Sequence, residues 1–206
     1  MWGPDMASKI DVFNMALSNI GSSETVADEL ERSPERVTCS RFWDTCRDAL
    51  FSYKDVEWKF ATATVALADL GSPPEGWGFR YRYPNDCINA LDVMSGIART
   101  VPEEFKAKFD IQYEASGRVI LCDIEAAVLK YTKRVEEVER WPAYFVEAMA
   151  ARLASFIAAP LKKDLSTRND MIQLAEQLIQ VAIAASLNEG QPDGPFPSIY
   201  EGAIHQ

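Results

Sequence analysis

Apolar residues recur along this chain with two periods, a helical one near both ends and a strand-like one in the middle. From Ser8 to Ile20 the positions Phe13, Ala16, Leu17 and Ile20 form one helical stripe, Ser8 and Asp11 have capping-box spacing, and Gly21 suits a C-terminal cap. A second helix is expected from Ser33, with Pro34 at its first helical position and Cys39, Phe42, Trp43, Cys46, Ala49, Leu50 and Tyr53 on one face. A third is expected over Glu57 to Leu70, where abundant Ala and Thr would allow close approach by neighbouring helices. The fourth begins after Trp141-Pro142. It carries Phe145, Met149, Leu153, Phe156 and Ile157 on one side and Val146, Ala150, Ala154 and Ala158 on another, and is expected to stop at Pro160. A helix apolar on two sides is buried between neighbours, in its own chain or in an adjacent subunit. The fifth opens near Ser166 or Thr167 with the stripe Met171, Leu174, Ala175, Leu178, Ala182 and Ala185.

Between the third and fourth helices the period is two. Phe79, Tyr81 and Tyr83 alternate with Arg80 and Arg82 until Pro84, and a strand over Ile88 to Val93 is expected to follow. Phe109, Ile111, Tyr113 and Ala115 alternate with polar residues, Ser116-Gly117 makes a turn, and Arg118 to Cys122 returns as the second arm of a hairpin. Ala127, Leu129, Tyr131, Lys133 and Val135 continue the pattern. The expected fold class is mainly α: a bundle of about five helices with a small antiparallel β-sheet insertion and an extended C-terminal arm. The boundaries are 1–72 and 141–187 for the two parts of the helical frame, 73–140 for the β-rich insertion and 188–206 for the arm.

The composition, 48% hydrophobic and 25% charged over 206 residues, is that of an ordinary globular chain. No unbroken apolar run approaches the ~20 residues of a membrane span and the N-terminus has no signal-peptide core, so synthesis and use in the cytoplasm without a membrane anchor are expected. A net charge of −10 argues against coating DNA, which requires clustered Lys and Arg. Cys39, Cys46, Cys87 and Cys122 lack the close spacing of a zinc site, so reduced core thiols are expected and no metal. The chain has no phosphate-binding loop, no dinucleotide fingerprint and no nucleophile elbow, and its lone His205 lies in the tail. No cofactor or catalytic residue is assigned. Glu103-Glu104 and Glu136-Glu137 read as solvated charge, although composition leaves a two-carboxylate glycan hydrolase open.

Four local features have two readings. Arg80 and Arg82 among aromatics could form a single-strand nucleic-acid platform, but an acidic chain favours a strand with its rings in the core and its arginines in solvent. Asp44 and Asp48, interleaved with Arg41 and Arg47, read as ion pairs before they read as a carboxylate site. The acidic loop from Ser22 to Arg32 is solvated charge or a partner contact. The segment Asn188 to Gln206 has no helical period, yet Phe196, Ile199, Tyr200 and Ile204 are apolar anchors. They suit an arm that orders against a neighbouring subunit or partner; the alternative is a disordered end.

The stretch Trp58 to Cys87, WKFATATVALADLGSPPEGWGFRYRYPNDC, resembles the head-to-tail connector proteins of short-tailed bacteriophages, also called adaptors or tail tubular protein A. The segments FNMALSNIG (Phe13 to Gly21), FWDTCRDALF (Phe42 to Phe51), GRVILCD (Gly117 to Asp123) and the Trp141 to Leu161 helix extend the likeness over residues 8–187. The resemblance implies a structural virion protein and no enzyme. It implies a homo-oligomeric ring, typically a dodecamer, between the portal protein and the tail tube or nozzle, with an axial channel through which double-stranded DNA passes. The alternatives are a tail-associated glycan hydrolase and a head-completion plug.

Overall fold

The computed structural model describes residues 7–95 and 107–189. Among them are four α-helices, α1 (Lys9–Asn19), α2 (Pro34–Phe51), α3 (Ala143–Lys162) and α4 (Leu165–Asn188). They also contain six strands, β1 (Thr62–Ala66), β2 (Phe79–Arg82), β3 (Cys87–Ser95), β4 (Phe109–Glu114), β5 (Gly117–Cys122) and β6 (Ala127–Lys133). This mixed α/β architecture, with two three-stranded antiparallel sheets, replaces the expected mainly α bundle of five helices with one small sheet.

The helix starts follow local chemistry. Ser8 Oγ accepts from the Asp11 backbone N–H at 3.2 Å while Asp11 Oδ2 accepts from Ser8 N–H at 2.8 Å, a closed capping box. Ser33 caps α2 in the same way through Arg36 N–H at 3.3 Å, with Pro34 directly behind it. α3 packs against α1, α2 and α4. Its length and mean hydropathy of 1.3 reach those of a membrane-crossing helix, but its faces are covered by these neighbours. Phe145 on α3 is fully buried and meets Phe60 at 4.8 Å, Phe51 at 4.9 Å, Trp58 at 5.0 Å and Trp141 at 5.2 Å between ring centroids. Trp43 stacks on Trp141 at 5.7 Å. The buried indoles also satisfy their polar ends, Trp58 Nε1 donating to Leu50 O at 3.1 Å and Trp141 Nε1 to Val135 O at 3.0 Å.

A second core lies between the sheets β1-β6-β3 and β2-β5-β4. Tyr81, Ile120 and Cys122 enter it from one sheet, and Val93, Leu129 and Tyr131 from the other. The chain joins the sheets directly. Leu67 N–H donates to Ala127 O at 2.9 Å beside β6, and Leu70 N–H then donates to Arg80 O at 2.8 Å beside β2.

Two expectations about helices are corrected. The segment Glu57 to Leu70 forms no α-helix; it makes a short 3₁₀ turn over Lys59–Ala61 and then β1. Lys54 and Asp55 take left-handed backbone angles that break away from α2. The Ala-rich stretch then pairs along β6, Thr62 opposite Thr132 and Ala66 opposite Val128, with Ala63, Val65 and Leu67 packed on the second core. Helix propensity in a short segment is weaker than a ladder of sheet hydrogen bonds plus period-two burial. Nor does Pro160 end α3. The helix runs on to Lys162 and stops at Lys163, whose left-handed backbone (φ 55°) lets its N–H bond Ala159 O at 2.9 Å.

Candidate functional site

The site is built on the sheet β2-β5-β4. Pairing Arg80 with Leu121, Tyr81 with Ile120 and Arg82 with Val119 alternates the strand's side chains between the two faces. Tyr81 and Tyr83 are buried, so the aromatics are used in packing and present no stacking platform. Arg82 is exposed and Arg80 half-buried on the opposite face. The β4–β5 hairpin turns through Ala115 and Ser116, one residue earlier than the expected Ser116-Gly117, and Gly117 opens β5 opposite Glu114 with a φ of 118° that a side chain would strain. That turn brings Arg118 to the end of β2, where its guanidinium lies 4.0 Å from the Tyr83 ring centroid and donates to Cys87 O at 3.3 Å.

Arg80, Arg82 and Arg118 thereby line one groove of about 500 Å³, with Leu70, Pro84 and Asn85 completing its walls. Arg80 Nη1 has a carboxylate neighbour, Glu114 Oε1 at 3.4 Å, while its Nε is buried without a hydrogen-bond partner. Arg82 has no ion pair among the described residues. The adjoining pocket of about 340 Å³ shares Asn85 but is balanced in charge: Lys133 meets Asp86 at 3.7 Å and Arg140 meets Glu137 at 3.8 Å. A separate pocket of about 300 Å³ between α3 and α4 is lined by Arg152 and Arg168. Of the two neighbouring pockets, the first groove alone carries positive charge in excess. Pairing guanidinium groups with carboxylate or phosphate oxygens is the chemistry this groove can perform.

The other expected features separate clearly. Asp44 and Asp48 do pair with arginine, at 3.1 and 3.0 Å from Arg47, but Arg47 is buried, and Asp48 also takes Arg134 at 2.8 Å. This cluster ties α2 to the end of β6 and is spent on structure. All four cysteines are free and buried. Burial pushes the Cys39 and Cys46 thiols up to about 12 and Cys87 to about 11, which keeps them protonated and poor nucleophiles. Glu136 and Glu137 are exposed. Glu103-Glu104, His205 and the arm residues Phe196, Ile199, Tyr200 and Ile204 lie outside the described residues.

The acidic loop is more ordered than a run of charges suggests. The Asn14 side chain both accepts from Val26 N–H at 2.8 Å and donates to Val26 O at 3.0 Å. Glu31 caps Ala27 N–H at 2.6 Å, Asp28 accepts from Leu30 N–H at 2.7 Å, and Lys9 meets Glu29 at 3.5 Å. At its tip Leu30 is 90% exposed. Sequence reasoning missed Arg118 as the third groove residue and Asn14 as the loop's anchor. The hairpin signal around Ser116 and Gly117 pointed to the first; the second, a contact across 12 residues, had none.

No protein-family model matches the chain, and no curated protein matches it.

Proposed function

We propose that this chain is a structural virion protein, the subunit of a head-to-tail connector ring between a portal and a tail tube or nozzle, and that it acts through shape and contact. The observation that carries the reading is the exposed apolar shoulder of α4. Leu165, Ile172 and Leu187 fall within roughly 60° on a helical wheel and are 67%, 43% and 61% exposed. The adjoining side of α4, with Ala175, Ile179 and Ala182, is buried, and Ile183 is partly buried against the same core. An apolar ridge left in water on an otherwise well-packed domain marks a protein contact. The sequence resemblance supplies the identity of that contact, the neighbouring subunit or the portal.

In this reading the ring, a dodecamer by the same resemblance, encloses a channel for double-stranded DNA, and the net charge of −10 keeps the passing duplex from adhering. The arm residues Phe196, Ile199, Tyr200 and Ile204 then serve the portal or subunit contact. Co-expression with a portal ring, followed by mass measurement, tests it. A stoichiometric ring-on-ring complex, weakened by Leu165→Ser with Leu187→Ser, is the expected result. A chain that never binds a portal ring refutes the proposal.

A further inference from the structure

The arginine-lined groove and the acidic loop of residues 22–32 are complementary in charge and belong to different cores. The groove sits at the end of the β2-β5-β4 sheet, over the second core, while Val26 in the loop packs on the first. The hydrogen bonds and ion pairs of the loop run to α1, to α2 or within the loop itself. Neither feature satisfies the other inside one chain.

Each feature has the makings of one half of an interface. The groove offers three guanidiniums, with apolar Leu70 and Pro84 beside them. The loop offers Glu24, Asp28, Glu29 and Glu31 around Leu30, the most exposed large apolar side chain among the described residues. A loop that served solubility alone would need neither a leucine at its tip nor five hydrogen bonds holding the tip in place. Holding the loop in one conformation lowers the ordering cost of docking. Carboxylates meeting arginines give register and orientation, and the leucine contributes burial.

We propose that the loop of one copy docks into the arginine-lined groove of the next, with Leu30 against Leu70 and Pro84 and its carboxylates on Arg80, Arg82 and Arg118. The two surfaces differ, so the contact is head-to-tail, and every copy carries one of each. Repetition closes a ring when the rotation between copies permits. The inference deepens the connector reading and rests on it for the expectation that copies meet.

The chain's acidity makes the test selective. Like-charged chains repel more strongly at low salt, so nonspecific charge effects favour association as salt rises. A specific carboxylate–arginine contact does the reverse. Sedimentation of the full chain at up to about 1 mM should show association that weakens between about 50 and 500 mM salt. Arg82→Glu alone, and Glu24→Lys with Glu29→Lys alone, should each lower the association constant about tenfold or more. An equimolar mixture of these two variants should restore it, because an acidic loop then meets an arginine groove and a basic loop meets the altered one. Circular dichroism and melting of each variant establish that both remain folded.

Three results would overturn the interface: a chain monomeric at every salt concentration, association indifferent to both variants, or a mixture that fails to recover. Duplex DNA binding that disappears with Arg82→Glu would also overturn it, by assigning the groove to phosphate. A monomeric chain that a portal ring still captures would remove this interface and leave the connector proposal standing, whereas loss of portal capture removes the latter.

Discussion

Phe145 should be the most costly side chain to truncate in the first core. It is wholly buried on α3 and touches four other aromatic rings at 4.8 to 5.2 Å. Phe→Ala in a core costs about 3–5 kcal/mol through lost transfer energy and the cavity left behind. Each well-placed ring pair adds about 0.5–1.5 kcal/mol beyond area burial, but four pairs sharing one ring do not add independently. The upper half of the range, about 4–5 kcal/mol, is therefore expected for Phe145→Ala. For a chain of 206 residues each kcal/mol moves the melting temperature by about 2–4 °C, giving a drop of roughly 8–20 °C. Half-buried Phe156, with one ring neighbour at 5.6 Å, provides the comparison, and its truncation should cost about 1–2 kcal/mol. Urea titration followed by tryptophan fluorescence suits the measurement, since Trp43, Trp58 and Trp141 all lie in that core. If Phe145→Ala loses less than about 2 kcal/mol, or no more than Phe156→Ala, the ring cluster is not the centre of the helical core.

Other consequences are open to measurement. Lys163→Gly should stabilise by about 0.5–1 kcal/mol, because it removes a side chain from a left-handed helix end; an unchanged or lowered denaturation midpoint contradicts that reading. Asn14→Ala removes both bonds to Val26 and should speed proteolytic cleavage within residues 22–32 while leaving the far-UV spectrum intact; unaltered cleavage would mean the loop is held by something else. The native chain holds its thiol protons up to about 12 at Cys39 and Cys46, above the value near 8.5 of an unfolded thiol. Their contribution to stability is thus complete below about pH 8.5 and falls as pH climbs toward 12, because there the unfolded state binds fewer protons. Buried Tyr81 and Tyr131 and half-buried Tyr144, also raised by desolvation, act in the same direction. Denaturation midpoints that stay level from pH 8 to about pH 11 would refute this, as would thiol labelling of the native chain at pH 8 as fast as in denaturant.

Much of the fold was written in short-range chemistry. Ser8 with Asp11, and Ser33 with Pro34, announce helix starts because cap and capped groups are only three residues apart. The β4–β5 hairpin is legible for the same reason, since its turn sits between its two partners. The final helix was recognisable from its stripe, although the buried Ile179 and Ser186 were not picked out. Rings on one face of β2 and arginines on the other follow from the period of two.

Distant partners settled the rest. Thr62 to Ala66 reads as helix until β6, more than 60 residues on, offers it a ladder of backbone bonds. Two sheets enclose a core where one sheet was expected, because Leu67 to Leu70 passes from the edge of one to the edge of the other. Arg118 joins Arg80 and Arg82 only when the hairpin folds back onto β2. Capping and periodicity are interactions within a turn or two of chain, which a string of residues displays directly. Strand pairing and the gathering of like charges depend on which remote segments win the competition for the same edge, and burial summed over the whole molecule decides that.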